Sequence, residues 1–370
     1  MVQNNQAYVD LITKLVSIPS PSLHEAKASA FLAAWMQEHG LQAAVDEVGN
    51  AVGVKGAGPK EILLLGHIDT FPGEISVHQA GDLLYGRGSV DAKGPLCTFA
   101  AAAAQVKVPD GWRITVVGAV EEEVATSRGA RHILSQRLPQ PAATRLSPPI
   151  YCIIGEPSHW DRITLGYKGR LLMDVELTVP FSHSAGEGRL PAEQAVDLWR
   201  QVEAFCAEKS RQHEGNSPFT RLDPSLRQIA SRDAGAYGLV ELSFGFRLPL
   251  WISPPDLEAQ LHQLIQALPG EIGTKVKFSG AEVAYKGDKA NPLVRAFLAA
   301  IRANGGAPRF VSKTGTADMN VVGPPWPATP MVAYGPGDSS LDHTPNEHLD
   351  LMEYQRAIEV LKAVLVQLML

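Results

Sequence analysis

Ile62-Leu63-Leu64-Leu65-Gly66-His67-Ile68-Asp69 is four apolar residues in a row, then a glycine, then a histidine and an acid two positions apart. A half-exposed strand alternates apolar and polar residues. This run does not, so it reads as a strand buried on both faces of a sheet that helices cover. Three more runs share the texture: Ile114-Thr115-Val116-Val117, Ile150-Tyr151-Cys152-Ile153-Ile154 and Met331-Val332-Ala333-Tyr334. Helical stretches separate them, including an alanine-rich region over 99–106 with Pro95 suited to a first helical turn. The layout predicts an α/β domain around a mixed or parallel central sheet.

Between about 169 and 287 the texture changes. Residues 172–179 and 239–248 alternate, the latter with Val240, Leu242, Phe244, Phe246 and Leu248 on one face and Glu241, Ser243, Gly245 and Arg247 on the other. The order strand, helix, strand, strand, helix, strand predicts an inserted ferredoxin-like βαββαβ unit. The expected organisation is a catalytic domain over 1–168 and 288–370, interrupted by a smaller domain over 169–287. Near the start, Ser22 and Glu25 have the S-x-x-E spacing of a capping box, ahead of an amphipathic helix through Phe31, Leu32, Trp35 and Met36.

Composition narrows the function. A formal net charge of −6 offers no basic footprint for nucleic acid or a membrane surface. No apolar run is long enough to span a bilayer, and the first residues do not read as a signal peptide. Three scattered cysteines, Cys97, Cys152 and Cys206, suit small core residues in a reducing cytoplasm better than a disulfide framework.

Each buried strand runs out into residues that can do chemistry. The first leads into His67 and Asp69, the second into Glu121-Glu122-Glu123, the third into Glu156, and the fourth through Gly335-Pro336-Gly337-Asp338 to Asp342-His343. Asp91 lies in the loop before the Pro95 helix. Ligands of open α/β sheets bind at the carboxyl ends of strands. So many acids in one crevice would repel one another without a cation. Imidazoles and carboxylates without thiolate suit zinc, manganese or cobalt, and the donors are too many for one ion. Two ions sharing a carboxylate, plus a base, account for them.

The motifs Gly66-His67-Ile68-Asp69-Thr70, Gly86-Arg87-Gly88-Ser89-Val90-Asp91-Ala92-Lys93-Gly94, Glu121-Glu122-Glu123 and Ile154-Gly155-Glu156-Pro157-Ser158, with the late His343, run nearly the length of the chain. In them the sequence resembles the dinuclear zinc deacylases and exopeptidases that include acetylornithine deacetylase, succinyl-diaminopimelate desuccinylase and the glutamate carboxypeptidases. The resemblance implies that His67 and Glu156 hold one zinc, that Glu123 and His343 hold the other, and that Asp91 bridges them, with cobalt able to substitute. It implies that Asp69 orients His67 and that Glu122 is the general base. Glu121 stands where the family more often has Asp. A cis peptide is expected at Asp91–Ala92. The inserted domain would form a homodimer and lend His183 to the partner's oxyanion. Arg247 would grip a substrate carboxylate, beside a loop containing Thr314 and Gly315.

Within the family, the stretches from Glu121 to Arg131 and from Asp338 to Glu347 look most like the branch that frees lysine from a small acidic amino-group carrier protein, or from an N-acyl form, sometimes with ornithine activity. Other substrates stay open at this point: acetylornithine, succinyl-diaminopimelate, or a dipeptide or glutamate conjugate. A non-catalytic metal-binding scaffold would lack the base, and Glu122 is present.

Overall fold

The computed structural model describes residues 2–137, 146–180, 190–213, 217–268 and 272–370. The chain divides into two compact units, one of Met1–Gly166, Gly287–Ser312 and Ala317–Leu370, the other of Tyr167–Lys286 with Lys313–Thr316. The second unit thus adds a short later segment to the stretch whose texture changes in sequence.

The four continuous apolar runs are the middle of the first unit's sheet. Strand Lys60–His67 pairs in parallel with Trp112–Ala119 on one side and Tyr151–Gly155 on the other, and Tyr151–Gly155 pairs in parallel with Met331–Tyr334. Antiparallel strands flank them: Ala51–Gly56 and Gln42–Val45 beyond Trp112–Ala119, and Arg162–Tyr167 beyond Met331–Tyr334. The sheet is therefore mixed, with a parallel centre. Parallel pairing sends all four carboxyl ends to one edge. Gly66 pairs with both Gly118 and Gly155, and Tyr334 pairs with Gly155, so the ends finish level.

That row of glycines has a packing reason. A Cβ on Gly155 would lie 2.9 Å from the Cα of Gly66 and 3.0 Å from the Phe99 ring, and one on Gly118 would lie 3.1 Å from Leu96. Without side chains there, helix Lys93–Gln105 lies close on the sheet, and its residues 93–103 are all buried. Ile62, Leu64, Ile114, Val116, Phe99 and residues of helix Leu351–Leu368 join one hydrophobic core.

The second unit has a four-stranded antiparallel sheet in the order Asp223–Ala234, Tyr237–Leu248, Gly169–Pro180, Gly273–Glu282. With helices Pro191–Arg211 and Pro254–Gln266 this is the ferredoxin-like βαββαβ arrangement. Its core takes every second residue of two strands, Leu171 to Val179 and Val240 to Leu248, plus Leu198, Val202, Leu257 and Leu261. The three cysteines are free and buried. No helix among the described residues is long and apolar enough to cross a membrane.

Candidate active site

The carboxyl edge of the parallel strands gathers the charged residues of the first unit. His67 closes its strand and is 1% exposed. Its Nε2 lies 3.3 Å from Asp91 Oδ1. The second oxygen of Asp91, Oδ2, lies 3.1 Å from His343 Nε2, and that same nitrogen lies 3.1 Å from Glu123 Oε2. Asp91 thus turns one oxygen to each imidazole. Ligand atoms of His67, Asp91 and Glu123 fall within 4.8 Å of one another. Two imidazoles and two carboxylates at this spacing, with no thiolate, are a donor set that fits divalent metal. Glu156 is buried at the end of the next strand, near enough for its charge to act on Glu122. The Asp91–Ala92 peptide is cis.

Asp69 organises the turn that carries the glutamates. It is fully buried. Its carboxylate accepts the backbone N–H groups of Glu122 and Glu123, each at 3.0 Å, and the Ser22 hydroxyl at 2.7 Å. The shorter contact of His67 Nδ1 is to the Asp69 carbonyl, at 3.0 Å; the carboxylate is at 3.5 Å. One residue thus sets the histidine ring through its backbone and the glutamate turn through its side chain.

Ser22 is consequently not a helix cap. The helix starts at Ala26 after Glu25, with no side-chain cap bond. Glu25 Oε1 instead accepts the N–H groups of Leu23 and Glu121. Ser20 donates its hydroxyl to the Ile68 carbonyl, and its own carbonyl accepts the Thr70 N–H. The segment 20–25 straps the strand end to the glutamate turn. The local S-x-x-E signal is overridden by these distant partners. Glu121, the first of the three glutamates, accepts the Thr126 hydroxyl at 2.7 Å and an Arg128 N–H at 3.3 Å.

The electrostatics come from burial among acids. Burial, with the charges of Glu156, Asp318 and Glu123, pushes the Glu122 carboxyl well above the usual range, against the pull of His67. Glu123 is raised by burial and by Asp91, although His343 works the other way. Asp91 is lowered, because its bonds to His343 and His67 outweigh its burial. Hydrogen bonds to Asp91 and Glu123 raise His343 to about 10.

Three residues without an assigned role in the sequence complete the edge. Lys93 is buried, and its amine donates to the carbonyls of Leu15 and Ile18 at 3.1 and 2.7 Å; burial pushes it down to about 8. Glu347 bonds the backbone of the Asp91 loop, and Phe71 stacks on His343. All three fall in or beside the quoted motifs, but only the folded loops show what they touch. In the second unit, Arg247 is exposed and donates to Thr316 Oγ1 at 3.0 Å, which sets it beside the loop of Thr314 and Gly315. His183 lies outside the described residues.

Residues 63–367 match the model of peptidase family M20/M25/M40. The chain is 44% identical to the LysW-lysine hydrolase of Deinococcus radiodurans over 98% of its length and 97% of that protein. It is 39% identical to a Thermococcus kodakarensis protein provisionally named a LysW-lysine/LysW-ornithine hydrolase, over 99% of this chain and 93% of the other. In fold it is similar to an M20 metallo-carboxypeptidase of Sulfolobus solfataricus, with a TM-score of 0.75, 17% identity, and coverage of 97% and 98% of the two chains.

Proposed function

The chain belongs to peptidase family M20/M25/M40 and is an amide hydrolase of the metallopeptidase type, and from that premise we propose that it frees lysine, with ornithine as a second product, from the γ-carboxyl of a glutamate ending a small acidic carrier protein. The observation that carries the substrate is the end-to-end likeness to the Deinococcus lysine hydrolase. A role for the protein in amino-acid biosynthesis in the cytoplasm goes with it, and three buried free cysteines suit that compartment.

His67 and Glu156 would hold one divalent ion and Glu123 and His343 another, with Asp91 shared. Zinc, or cobalt in its place, would polarise the scissile carbonyl when bound. The other steps belong to side chains. Glu122 takes a proton from the attacking water as its oxygen bonds to the carbonyl carbon. It gives that proton to the amine nitrogen as the C–N bond breaks. Asp69 keeps Glu122 and Glu123 in place through their N–H groups. His183 from a second copy would donate a hydrogen bond to the tetrahedral oxyanion, so the working form would be a homodimer. Arg247, with Thr314 and Gly315, would hold the α-carboxylate of the departing amino acid.

The test compares kcat/KM for carrier-linked lysine, N-acetyl-lysine, N-acetyl-ornithine and N-succinyl-diaminopimelate on one preparation. The carrier conjugate should lead by at least about tenfold. A lead for acetylornithine or the succinyl substrate would reassign the enzyme within its family.

A further inference from the structure

Asp91 and His343 stand on loops far apart in sequence, yet their side chains lie 3.1 Å apart. A closed set of contacts holds them there. Glu347 is fully buried. Its Oε1 accepts the N–H groups of Val90 at 2.9 Å and Asp91 at 3.1 Å, and its Oε2 accepts Arg87 Nη1 at 2.8 Å. Arg87 lies over the Phe71 ring, 5.9 Å from its centroid, and its Nε donates to the Gly73 carbonyl at 3.1 Å. Phe71 in turn stacks on the His343 ring, with centroids 4.2 Å and planes 15° apart. His343 returns to Asp91 and closes the ring.

Core packing does not account for these residues. Phe71 is 39% exposed and belongs to no hydrophobic core cluster among the described residues. What it gains is an aromatic partner, and what His343 gains is a fixed plane. His343 needs one: its side chain is 43% exposed and its backbone has a φ of +61°, in the left-handed region. Glu347 spends its buried carboxylate on two backbone N–H groups of the Asp91 loop and on the arginine that carries Phe71.

We propose that Phe71, Arg87 and Glu347 are positioning residues which, with Asp91 and His343, form one ring that sets the spacing between the shared carboxylate and the histidine. They thereby tune the affinity for the cation that Asp91, Glu123 and His343 would hold. The inference rests on the two-cation reading of the site. Ligands fixed by outer contacts lose less freedom on binding, and removing such contacts weakens a metal site.

The test titrates chelator-treated full-length protein with Co²⁺, monitored by calorimetry and visible absorption. Failure of the wild type to bind two ions would sink the two-cation reading itself, whatever the variants do. Given two steps, Phe71→Leu and Glu347→Gln should each weaken at least one step by about 10–100-fold. Phe71→Tyr keeps the aromatic ring and should titrate like the wild type. Because the ring acts as one unit, the double variant should be no more than about threefold weaker than the worse single variant. Independent residues would multiply their losses. A normal titration for Phe71→Leu, equal losses in Phe71→Leu and Phe71→Tyr, or multiplied losses in the double variant would overturn the ring. If Glu347→Gln fails to fold, the contrast between Leu and Tyr at position 71 decides alone.

Discussion

Strand Lys60–His67 carries a buried charged cluster at each end, and the two are built on different principles. At the amino end Glu61 is 2% exposed. Its Oε1 lies 2.9 Å from Arg137 Nη2 and 2.6 Å from the Thr115 hydroxyl, and its Oε2 lies 3.2 Å from Arg113 Nη2. The acid there meets two guanidinium groups and a hydroxyl donor. At the carboxyl end Asp69, Asp91, Glu122, Glu123 and Glu156 face two imidazoles. Burial raises carboxylates at both ends. At Glu61 the arginines reverse it, and the carboxyl is held below its usual range. At Glu122 and Glu123 the nearby imidazoles do not outweigh it, and both are pushed up, whereas the histidines hold Asp69 and Asp91 down. A protein that can neutralise a buried acid with arginine, and does so at one end of a strand, leaves the other end short of positive charge. That shortage is the electrostatic mark of a site that works on something from outside.

The largest effect expected from this contrast comes from removing one acid at the unbalanced end. Glu122→Gln should lower kcat by about 10²–10⁴-fold while metal content, measured by elemental analysis, stays at the wild-type level. If Glu122 were only one more ligand, metal would fall with activity. The same variant tests the dimer. Mixed with His183→Ala protein under conditions of subunit exchange, it should regain part of the lost activity. No recovery in exchanged samples would place His183 in the same chain's site or outside the chemistry.

The next effect belongs to the balanced end. Glu61→Gln leaves Arg137, itself 2% exposed, as a buried charge without its counter-ion. Breaking such a pair costs about 3–5 kcal/mol, readable as a shift in the urea midpoint. The pH dependence has a definite sign. The folded pKa of Glu61 lies below its unfolded value of about 4.3. Its contribution is therefore complete above that value and is lost as pH falls through the folded pKa. Glu61→Gln should flatten this acid limb of the stability curve. An unchanged limb would mean that other carboxylates govern acid unfolding.

The two ends differed in how far the sequence exposed them. A parallel strand buried on both faces writes a continuous apolar run, so the four strands and the chemistry at their carboxyl ends can be read locally: His67, Glu122, Glu123 and Glu156 come within a few residues of their strands. Asp91 and His343 read as candidates too, but from loops farther from any strand end, and the motifs give them their expected roles. Glu61 sits at the head of an apolar run and looks like a surface residue until Arg137 folds over it. Ser22 shows the opposite failure. Its spacing to Glu25 is a genuine capping pattern, and a partner far away in sequence took the hydroxyl. Local signals settle elements; they do not settle which of two hydrogen-bond partners a short polar side chain chooses.

Ser22 also supplies the smallest and most discriminating prediction. Its hydroxyl is one of three donors on the Asp69 carboxylate. Ser22→Ala should cost about 1.5–3 kcal/mol if the bond to a charged, buried acceptor contributes as such bonds do. A lost helix cap would cost about 1 kcal/mol, a range close enough that stability alone does not separate the two roles. Activity does. A cap of the helix Ala26–Glu38 would leave kcat untouched, since none of the proposed ligands or the base stands on that helix. An Asp69 freed on one side would let the Glu122–Glu123 turn shift, and kcat should drop by up to about tenfold with metal retained. Ser22→Thr, which keeps the hydroxyl, should restore most of the loss. A stable Ser22→Ala protein with wild-type kcat would show that the two N–H donors alone hold Asp69, and that the strap from 20 to 25 serves the fold rather than the base.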